Sequence, residues 1–215
     1  MWMIIDKLPV QLAVASMVNL KITQDAEAFR MLETCAESYR LNYPDAQIGE
    51  VYGVQNARKF FHAINIDPTK RRPSSEALLN RALKNKPFHQ INSLVDTGNW
   101  CSLDFLLPIC LYDSAKINGE VDVRKGEAGE SYEALNGEVI DFEDRYIIAD
   151  ETGPFGSPMT DSVRTAVSES TQNAHLVIFA HSDFDEDVLR ENLDVLVERV
   201  RQTCGGEVAD QEILK

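Results

Sequence analysis

The first ninety residues contain one apolar run followed by several amphipathic stretches. Residues 10–22 are rich in Val, Leu and Ile with partial alternation, which predicts a strand. Apolar residues then recur at helical spacing in three stretches, which predicts helices at about 24–41, 54–64 and 74–86. Residues 1–90 are therefore expected to form a mainly helical part.

A polar stretch and an apolar stretch follow the third predicted helix. Asn92, Asp96 and Asn99 are residues whose side chains bond to their own backbone, which predicts an irregular connection. Residues 102–112 are apolar and read as a strand-like run. Pro108 interrupts this run and is expected at an edge, a bulge or a strand start.

From residue 113 onward the pattern is typical of β-structure. Short alternating runs are separated by glycines at hairpin-like distances, which favours a barrel or a bent sheet. Residues 175–182 form a continuous apolar run that predicts a buried strand. A β-rich part at 91–182 and a carboxyl-terminal helix at 183–205 are expected to complete a single domain over 1–215, with a frayed tail.

A polar loop separates the last two predicted strands. Its sequence is ETGPFGSPMTDSVRT, and loops of this length inside a compact domain are usually functional or disordered. We favour a functional loop because polar side chains are concentrated there between two strands. The candidate side chains are those of Ser157, Thr160, Asp161, Ser162 and Arg164.

The net charge of −14 opposes binding to nucleic acid. The charge is unevenly distributed, since residues 58–86 hold eight basic and two acidic side chains, a local +6 that leaves −20 for the rest. Such polarity could present one cationic face to RNA, and the alternative is a solvated helix surface. The candidate RNA-binding residues are Lys70, Arg71, Arg72, Arg81, Lys84 and Lys86.

Common cofactor and metal motifs are missing from the sequence. It contains no phosphate-binding loop, no dinucleotide fingerprint and no nucleophile elbow, so no cofactor is expected. The four cysteines have no zinc-type or disulfide-type spacing, and the acids after His181 suit a helix amino terminus, so no metal is expected. No apolar run is long enough for a bilayer and the start lacks a secretion signal, which predicts a cytoplasmic protein.

Three segments resemble a known family. PSSEALLNRAL, INSLVDTGN and LPICLYDSAKI are similar to the B3/B4 module of the phenylalanyl-tRNA synthetase beta subunit and to its free-standing relatives. The similarity extends over about residues 50–182. It implies an α+β fold with a β-rich, barrel-like centre and flanking helices. It also implies an editing domain, which hydrolyses wrongly attached amino acids from tRNA.

The resemblance also implies a set of pocket residues. Asn99 falls at the family's pocket asparagine, Cys110 stands where the synthetase pattern has a histidine, and Phe179 lies near its pocket glutamate. Asn99, Thr160 and Asp161 are then expected to hold the amino acid and the attacking water. The residues expected to bind substrate are Cys110, Ser157, Ser162 and Phe179.

Two functions remain open on the sequence alone. The first is a deacylase that acts in trans on mischarged aminoacyl-tRNA. The second is a non-catalytic module that binds an amino acid or a protein, because Cys and Phe cannot replace a histidine and a carboxylate without changing what the pocket recognises. The oligomeric state and the amino acid handled are not predicted.

Overall fold

The computed structural model describes residues 1–5 and 8–215. The helices are α1 (Glu27–Asn42), α2 (Val54–Ala63), α3 (Ser74–Leu83), α4 (Ser93–Phe105) and α5 (Glu186–Cys204). The strands are β1 (Trp2–Ile4), β2 (Val10–Val18), β3 (Ile109–Asp113), β4 (Val121–Lys125), β5 (Ser131–Glu133), β6 (Val139–Asp141), β7 (Tyr146–Asp150), β8 (Gly153–Gly156), β9 (Ala174–His181) and β10 (Glu207–Leu214). Among these residues, no helix combines the length and the apolar composition that a membrane span needs.

The strands form two four-stranded sheets and a hairpin, and β1, β2 and β10 join the sheets from outside the predicted β-rich part at 91–182. The first sheet has the order β10-β2-β9-β3 with antiparallel neighbours throughout. The second has the order β1-β4-β7-β8, in which β1 pairs with β4 in parallel, and β5 pairs with β6 as the hairpin. The predicted α+β class is confirmed.

Strand β9 separates two hydrophobic cores, because its successive side chains point to opposite faces of the sheet. Leu176 and Ile178 lie in a core with α4 and α5, whereas Val177 and Phe179 lie in a core with α2, β3 and the second sheet. All four side chains are buried. The predicted buried strand at 175–182 is therefore confirmed, and it carries one face toward each side of the molecule.

The polar connection predicted around Asn92, Asp96 and Asn99 is wrong, because Asn92 caps α4 and the other two residues lie within it. The Asn92 side chain caps the helix by accepting a hydrogen bond from the Val95 amide at 3.0 Å. The Asp96 carboxylate is buried in the first turn and accepts hydrogen bonds from the Ile91 amide. The polar side chains that suggested an irregular chain instead close the start of a helix.

The strand-like run predicted at 102–112 is also shorter than expected. Helix α4 continues to Phe105, and Leu106 then adopts a left-handed conformation (φ 54°) that ends it. Pro108 directly precedes β3, which confirms its expected place at a strand start.

The carboxyl-terminal tail was expected to be frayed, and this prediction is wrong. Strand β10 pairs with β2 from Glu207–Val18 to Leu214–Leu12. Gly206 has a φ of 82°, and a Cβ built on it would lie 2.6 Å from the Val18 carbonyl oxygen, so a glycine is needed to turn the chain here. The tail is ordered because it covers the free edge of β2.

Removing residues 207–215 is expected to destabilise the protein and to promote self-association. The deletion breaks the backbone hydrogen bonds to β2, each of which contributes about 0.5–1.5 kcal/mol, and exposes that edge. Differential scanning fluorimetry should show a Tm lower by at least roughly 4 °C, and size-exclusion chromatography should show larger species. Val208→Thr keeps the strand and serves as the control. An unchanged Tm in a monomeric deletion variant would contradict a structural role for β10.

Candidate functional site

A buried tyrosine on β3 joins the two sheets at the candidate site. The Tyr112 hydroxyl donates a hydrogen bond to Oδ1 of Asp161 at 2.7 Å, and its ring packs edge-on against Phe155 with centroids 5.0 Å apart. Phe155 lies on β8, and Asp161 forms an isolated bridge with Gly156 at the end of that strand. The hydrogen bond therefore links β3 of the first sheet to the segment after β8 of the second.

This close approach depends on a glycine. A Cβ built on Gly156 would overlap the hydroxyl and the ring of Tyr112. Only a residue without a side chain leaves room for the phenol beside the backbone. The glycine in the sequence GPFGSP is thus part of the geometry that brings Tyr112 to Asp161.

The segment 157–160 forms a turn held by two hydroxyl groups. The Thr160 carbonyl accepts hydrogen bonds from the hydroxyls of Tyr132 at 2.6 Å and Ser157 at 2.9 Å. The Ser157 hydroxyl also accepts from the amides of Met159 and Thr160 at 3.3 and 3.2 Å. The Ser157 side chain, predicted to bind substrate, is buried and engaged within the turn.

Ser162, also predicted to bind substrate, is buried next to this turn. Its hydroxyl lies 3.2 Å from the hydroxyl of Thr165, and its amide donates to the Phe155 carbonyl at 2.9 Å. The Ser162 side chain therefore supports the loop from behind. Thr160, whose side chain is half-buried, stands beside Asp161 on the more accessible side of the turn.

Cys110 and Phe179 line the same side of the first sheet as Tyr112. The Cys110 sulfur lies 3.8 Å from the Ser157 carbonyl oxygen, and burial raises the pKa of this thiol well above its usual value. A thiol that stays protonated is a poor nucleophile, so Cys110 can shape the site but cannot attack a substrate.

A small cavity remains between Phe179 and the second sheet. Phe179 packs against Phe60 of α2 with ring centroids 5.8 Å apart. The volume left is ≈ 10 Å³, close to the space that one water molecule requires. Its lining residues are Val10, Leu12, Phe60, Ile64, Val123, Tyr146, Ile147, Ile148, Pro158 and Phe179.

Asp161 is the carboxylate at the centre of this arrangement. Burial raises the pKa of Asp161 to about 6, although hydrogen bonds from Tyr112 and Cys110 act in the opposite direction. The Asp161 residue is half-buried, and its Oδ1 accepts the hydrogen bond from the Tyr112 hydroxyl. A carboxylate with a pKa near neutrality can accept a proton.

Asn99 lies outside this cluster of contacts. It is half-buried in the middle of α4, where the preceding Gly98 packs against Leu111, a side chain on the face of β3 opposite to Cys110. Within the described part of the chain its amide group makes no hydrogen bond. The structure brings together the other predicted pocket residues and places Asn99 on a separate element.

The predicted RNA-binding residues fall into two groups. Arg72 lies 3.3 Å from the buried carboxylate of Glu76, which Arg58 also contacts at 2.7 Å, and Arg81 donates to the Pro87 carbonyl at 2.6 Å. These contacts give Arg72 and Arg81 a structural role in α3. The others are exposed side chains, namely Lys70, Arg71, Lys84 and Lys86.

Sequence reasoning missed the two tyrosines that organise the site. Tyr112 was present in the segment LPICLYDSAKI without a role, and Tyr132 lay in a predicted strand. A buried tyrosine needs a hydrogen-bond partner for its hydroxyl, so each of the two tyrosines indicates that a polar group lies next to it. The partners could not be predicted, since they lie 49 and 28 residues away along the chain.

The sequence model of the B3/4 domain matches residues 56–194, which is well over half of the chain. The chain belongs to the B3/4 domain family. This match includes β3, the 157–162 segment and β9, so the contacts described above lie within the B3/4 domain. The resemblance drawn from residues 50–182 is confirmed.

Two relatives of the B3/4 domain protein carry the name phenylalanine–tRNA ligase beta subunit. The protein from Neisseria meningitidis is 28% identical over 110 residues, or 50% of this chain and 14% of its own length. The protein from Bartonella quintana is 30% identical over 149 residues, or 58% and 18%. The B3/4 chain thus spans less than a fifth of the length of these relatives.

A solved structure also aligns with the B3/4 chain. It is an N-terminal fragment of the phenylalanyl-tRNA synthetase beta subunit from Pyrococcus horikoshii. The alignment covers 99% of this chain and 50% of that one, at 13% identity and a TM-score of 0.47.

Replacing Asp161 by Asn is expected to stabilise the B3/4 domain near neutral pH. The folded-state pKa of Asp161, about 6, exceeds the ordinary value of 3.8, so the folded state binds more protons than the unfolded state between these values. Stability therefore falls as the pH rises through this window, and Asn removes that loss. The Tm of Asp161→Asn should exceed that of the wild type by roughly 2–8 °C at pH 7.5.

The difference in Tm should shrink as the pH is lowered from about 7.5 to 4, because the wild-type carboxyl becomes protonated. Glu37→Gln, at an exposed glutamate on α1, serves as the control and should show no such pH-dependent difference. A destabilised Asp161→Asn variant at pH 7.5 would show that the ionised carboxylate is instead favourable in the fold.

Proposed function

We propose that this B3/4 protein is a trans-acting editing deacylase. It hydrolyses the ester bond between an incorrect amino acid and the terminal ribose of a tRNA, without a cofactor, in the cytoplasm where aminoacyl-tRNA is used. The proposal is supported by the similarity to phenylalanine–tRNA ligase beta subunits. The observation that carries it is Asp161, a half-buried residue whose carboxylate is held by Tyr112 and has a pKa of about 6.

Asp161 would act as the general base. Its ionised carboxylate accepts a proton from a water molecule as the water oxygen attacks the ester carbonyl carbon. The tetrahedral intermediate then collapses, the bond between the carbonyl carbon and the ribose oxygen breaks, and the proton passes from Asp161 to that ribose oxygen. The products are a free amino acid and a tRNA with an intact terminal hydroxyl.

The neighbouring residues would position the substrate for this step. Tyr112 holds Oδ1 of Asp161 in place, and Oδ2 would take the proton from the water. Thr160 remains a proposed contact of the amino acid, and Cys110 would line the pocket as a neutral thiol. Ester hydrolysis needs little more than a positioned water and donors for the developing oxyanion, which backbone amides of the 157–162 turn can supply.

The deacylation assay tests this proposal with a panel of mischarged tRNAs. The wild-type protein should deacylate at least one of them, and Asp161→Asn should lower kcat/KM by about 10²-fold or more, the typical contribution of a general base. Since Asp161 must be ionised, the rate should rise with pH through about 6 and then level off.

His62→Gln is the matched control, because His62 is exposed on α2 and lies outside the 157–162 segment. This variant should retain the wild-type rate and the same pH profile. A panel on which the wild-type protein is inert throughout would remove the deacylase proposal.

The small inner cavity suggests which amino acids are removed. With Phe60 and Phe179 filling most of the space, ≈ 10 Å³ remains, about the room for one water molecule, so only the smallest side chains should be accepted. Replacing Phe179 by Leu enlarges the cavity and should shift the relative deacylation rates toward larger amino acids. Phe29→Leu, in the separate core around α1, should leave the preference unchanged. An identical preference in Phe179→Leu would contradict a pocket at this position.

The protonated Cys110 supports a second candidate function. A thiol that cannot attack a substrate, next to the 157–160 turn, suits a module that binds a ligand or a protein without reacting. Isothermal titration calorimetry with free amino acids distinguishes the two functions. Saturable binding without turnover of any aminoacyl ester would favour the binding module, whereas efficient deacylation would exclude it.

A further inference from the structure

A second, larger pocket opens beside the candidate site. It has a volume of ≈ 280 Å³ and lies between the turn after α2 and the turn that leads into β7. Ile64 and Tyr146 line both this pocket and the small inner cavity, and Met159 belongs to the 157–160 turn. The remaining lining residues are Asn65, Ile66, Asp67, Lys70, Arg71, Asp144 and Arg145.

Three cations converge on this pocket from two distant parts of the chain. Lys70 and Arg71 come from the turn before α3, and Arg145 comes from the turn before β7. All three are exposed, and none forms an ion pair with a carboxylate of residues 1–5 or 8–215. By contrast, Arg58 is paired with Glu76 at 2.7 Å.

The pocket is positive although the protein as a whole is strongly negative. Its three cations face two carboxylates, those of Asp67 and Asp144. The Asp67 Oδ1 already accepts hydrogen bonds from the amide and the hydroxyl of Thr69 at 2.9 and 2.7 Å. A positive pocket with unpaired Arg and Lys side chains in a chain of charge −14 is suited to an anionic ligand.

The other lining residues favour a nucleotide over a small inorganic anion. Tyr146 is half-buried, so its ring offers a fixed surface on which a base can stack. Arg guanidinium groups match phosphate oxygens in a bidentate geometry, and Lys adds a point charge. The volume of ≈ 280 Å³ suits one nucleotide and excludes a duplex.

We propose that the pocket formed by Lys70, Arg71, Arg145 and Tyr146 binds the terminal nucleotide of a single-stranded RNA end. This inference rests on the proposed deacylase function, which requires such an end beside the site. It adds Arg145 and Tyr146 to the RNA contacts, and it selects Lys70 and Arg71 from the basic stretch. Met159 lines this pocket and belongs to the 157–160 turn that directly precedes Asp161.

Fluorescence anisotropy with a labelled single-stranded RNA ending in CCA tests the pocket without relying on catalysis. Arg145→Gln and Lys70→Gln should each weaken binding by about 10-fold. Each should also make the slope of log K against log salt less negative by about 0.7, as expected for losing one phosphate contact on a single strand. Tyr146→Leu should weaken binding without changing the slope, because stacking is uncharged. Unlabelled AMP should compete for the same site.

Lys21→Gln and Arg201→Gln are the matched controls, because they remove the same charges at exposed positions outside the pocket. Both should bind within about twofold of the wild type, as expected where salt-screened charges lie far from the ligand. Equal weakening by the pocket and control variants would overturn the proposal, and so would undetectable RNA binding. AMP binding without RNA binding would indicate a free-nucleotide site and would also overturn it.

The deacylation assay separates this inference from the proposed function. RNA binding that depends on Arg145 in a protein inert on all mischarged tRNAs would retain the pocket and remove the deacylase. Deacylation with an unchanged KM in Arg145→Gln would retain the deacylase and remove the pocket.

Discussion

The hydrogen bond from Tyr112 to Asp161 is the contact on which the site depends. It crosses from β3 in one sheet to the segment after β8 in the other, and Gly156 leaves the space for it. The folded state would be destabilised if the buried Tyr112 hydroxyl had no acceptor, and likewise if the Asp161 carboxylate had no donor. Each group therefore fixes the other, and together they set the relative position of the sheets at this point.

The same contact explains how a strongly apolar region can hold a reactive group. Phe155 and Phe179 provide hydrophobic surface around the contact between Tyr112 and Asp161. Burial there disfavours the charged form of Asp161 and raises its pKa to about 6. The ionised carboxylate lowers the stability of the fold near neutral pH. The same raised pKa allows Asp161 to exchange a proton at that pH. Cys110 has no such use, because burial keeps its thiol protonated.

The sequence predicted the elements with the strongest periodicity and missed those that depend on long-range contacts. Strand β9 and helix α5 follow from continuous apolar runs and a helical stripe. Helix α4 was missed because Asn92 and Asp96 are residues that also favour turns. Only the hydrogen bonds that their side chains accept from the backbone amides of Val95 and Ile91 show that they stand at the start of a helix. Strand β10 was missed because its side chains are mostly exposed, and its order comes from pairing with β2.

The family resemblance directed attention to Cys110, Phe179 and the 157–162 loop, which the structure brings to one side of the first sheet. It could not reveal Tyr112 and Tyr132 as the residues that hold the loop, since their roles come from partners distant in sequence. It also gave no indication of Arg145, because a cation at the start of a strand is common and becomes notable only beside Lys70 and Arg71.

The pKa of Asp161, measured by ¹³C NMR of its side-chain carboxyl in the wild type and in Tyr112→Phe, tests the coupling most directly. A value near 6 in the wild type that rises in Tyr112→Phe is expected, because the phenol stabilises the ionised carboxylate against the effect of burial. A value near that of an ordinary aspartate, unchanged by the substitution, would show that Asp161 is solvated and that the two residues are not coupled.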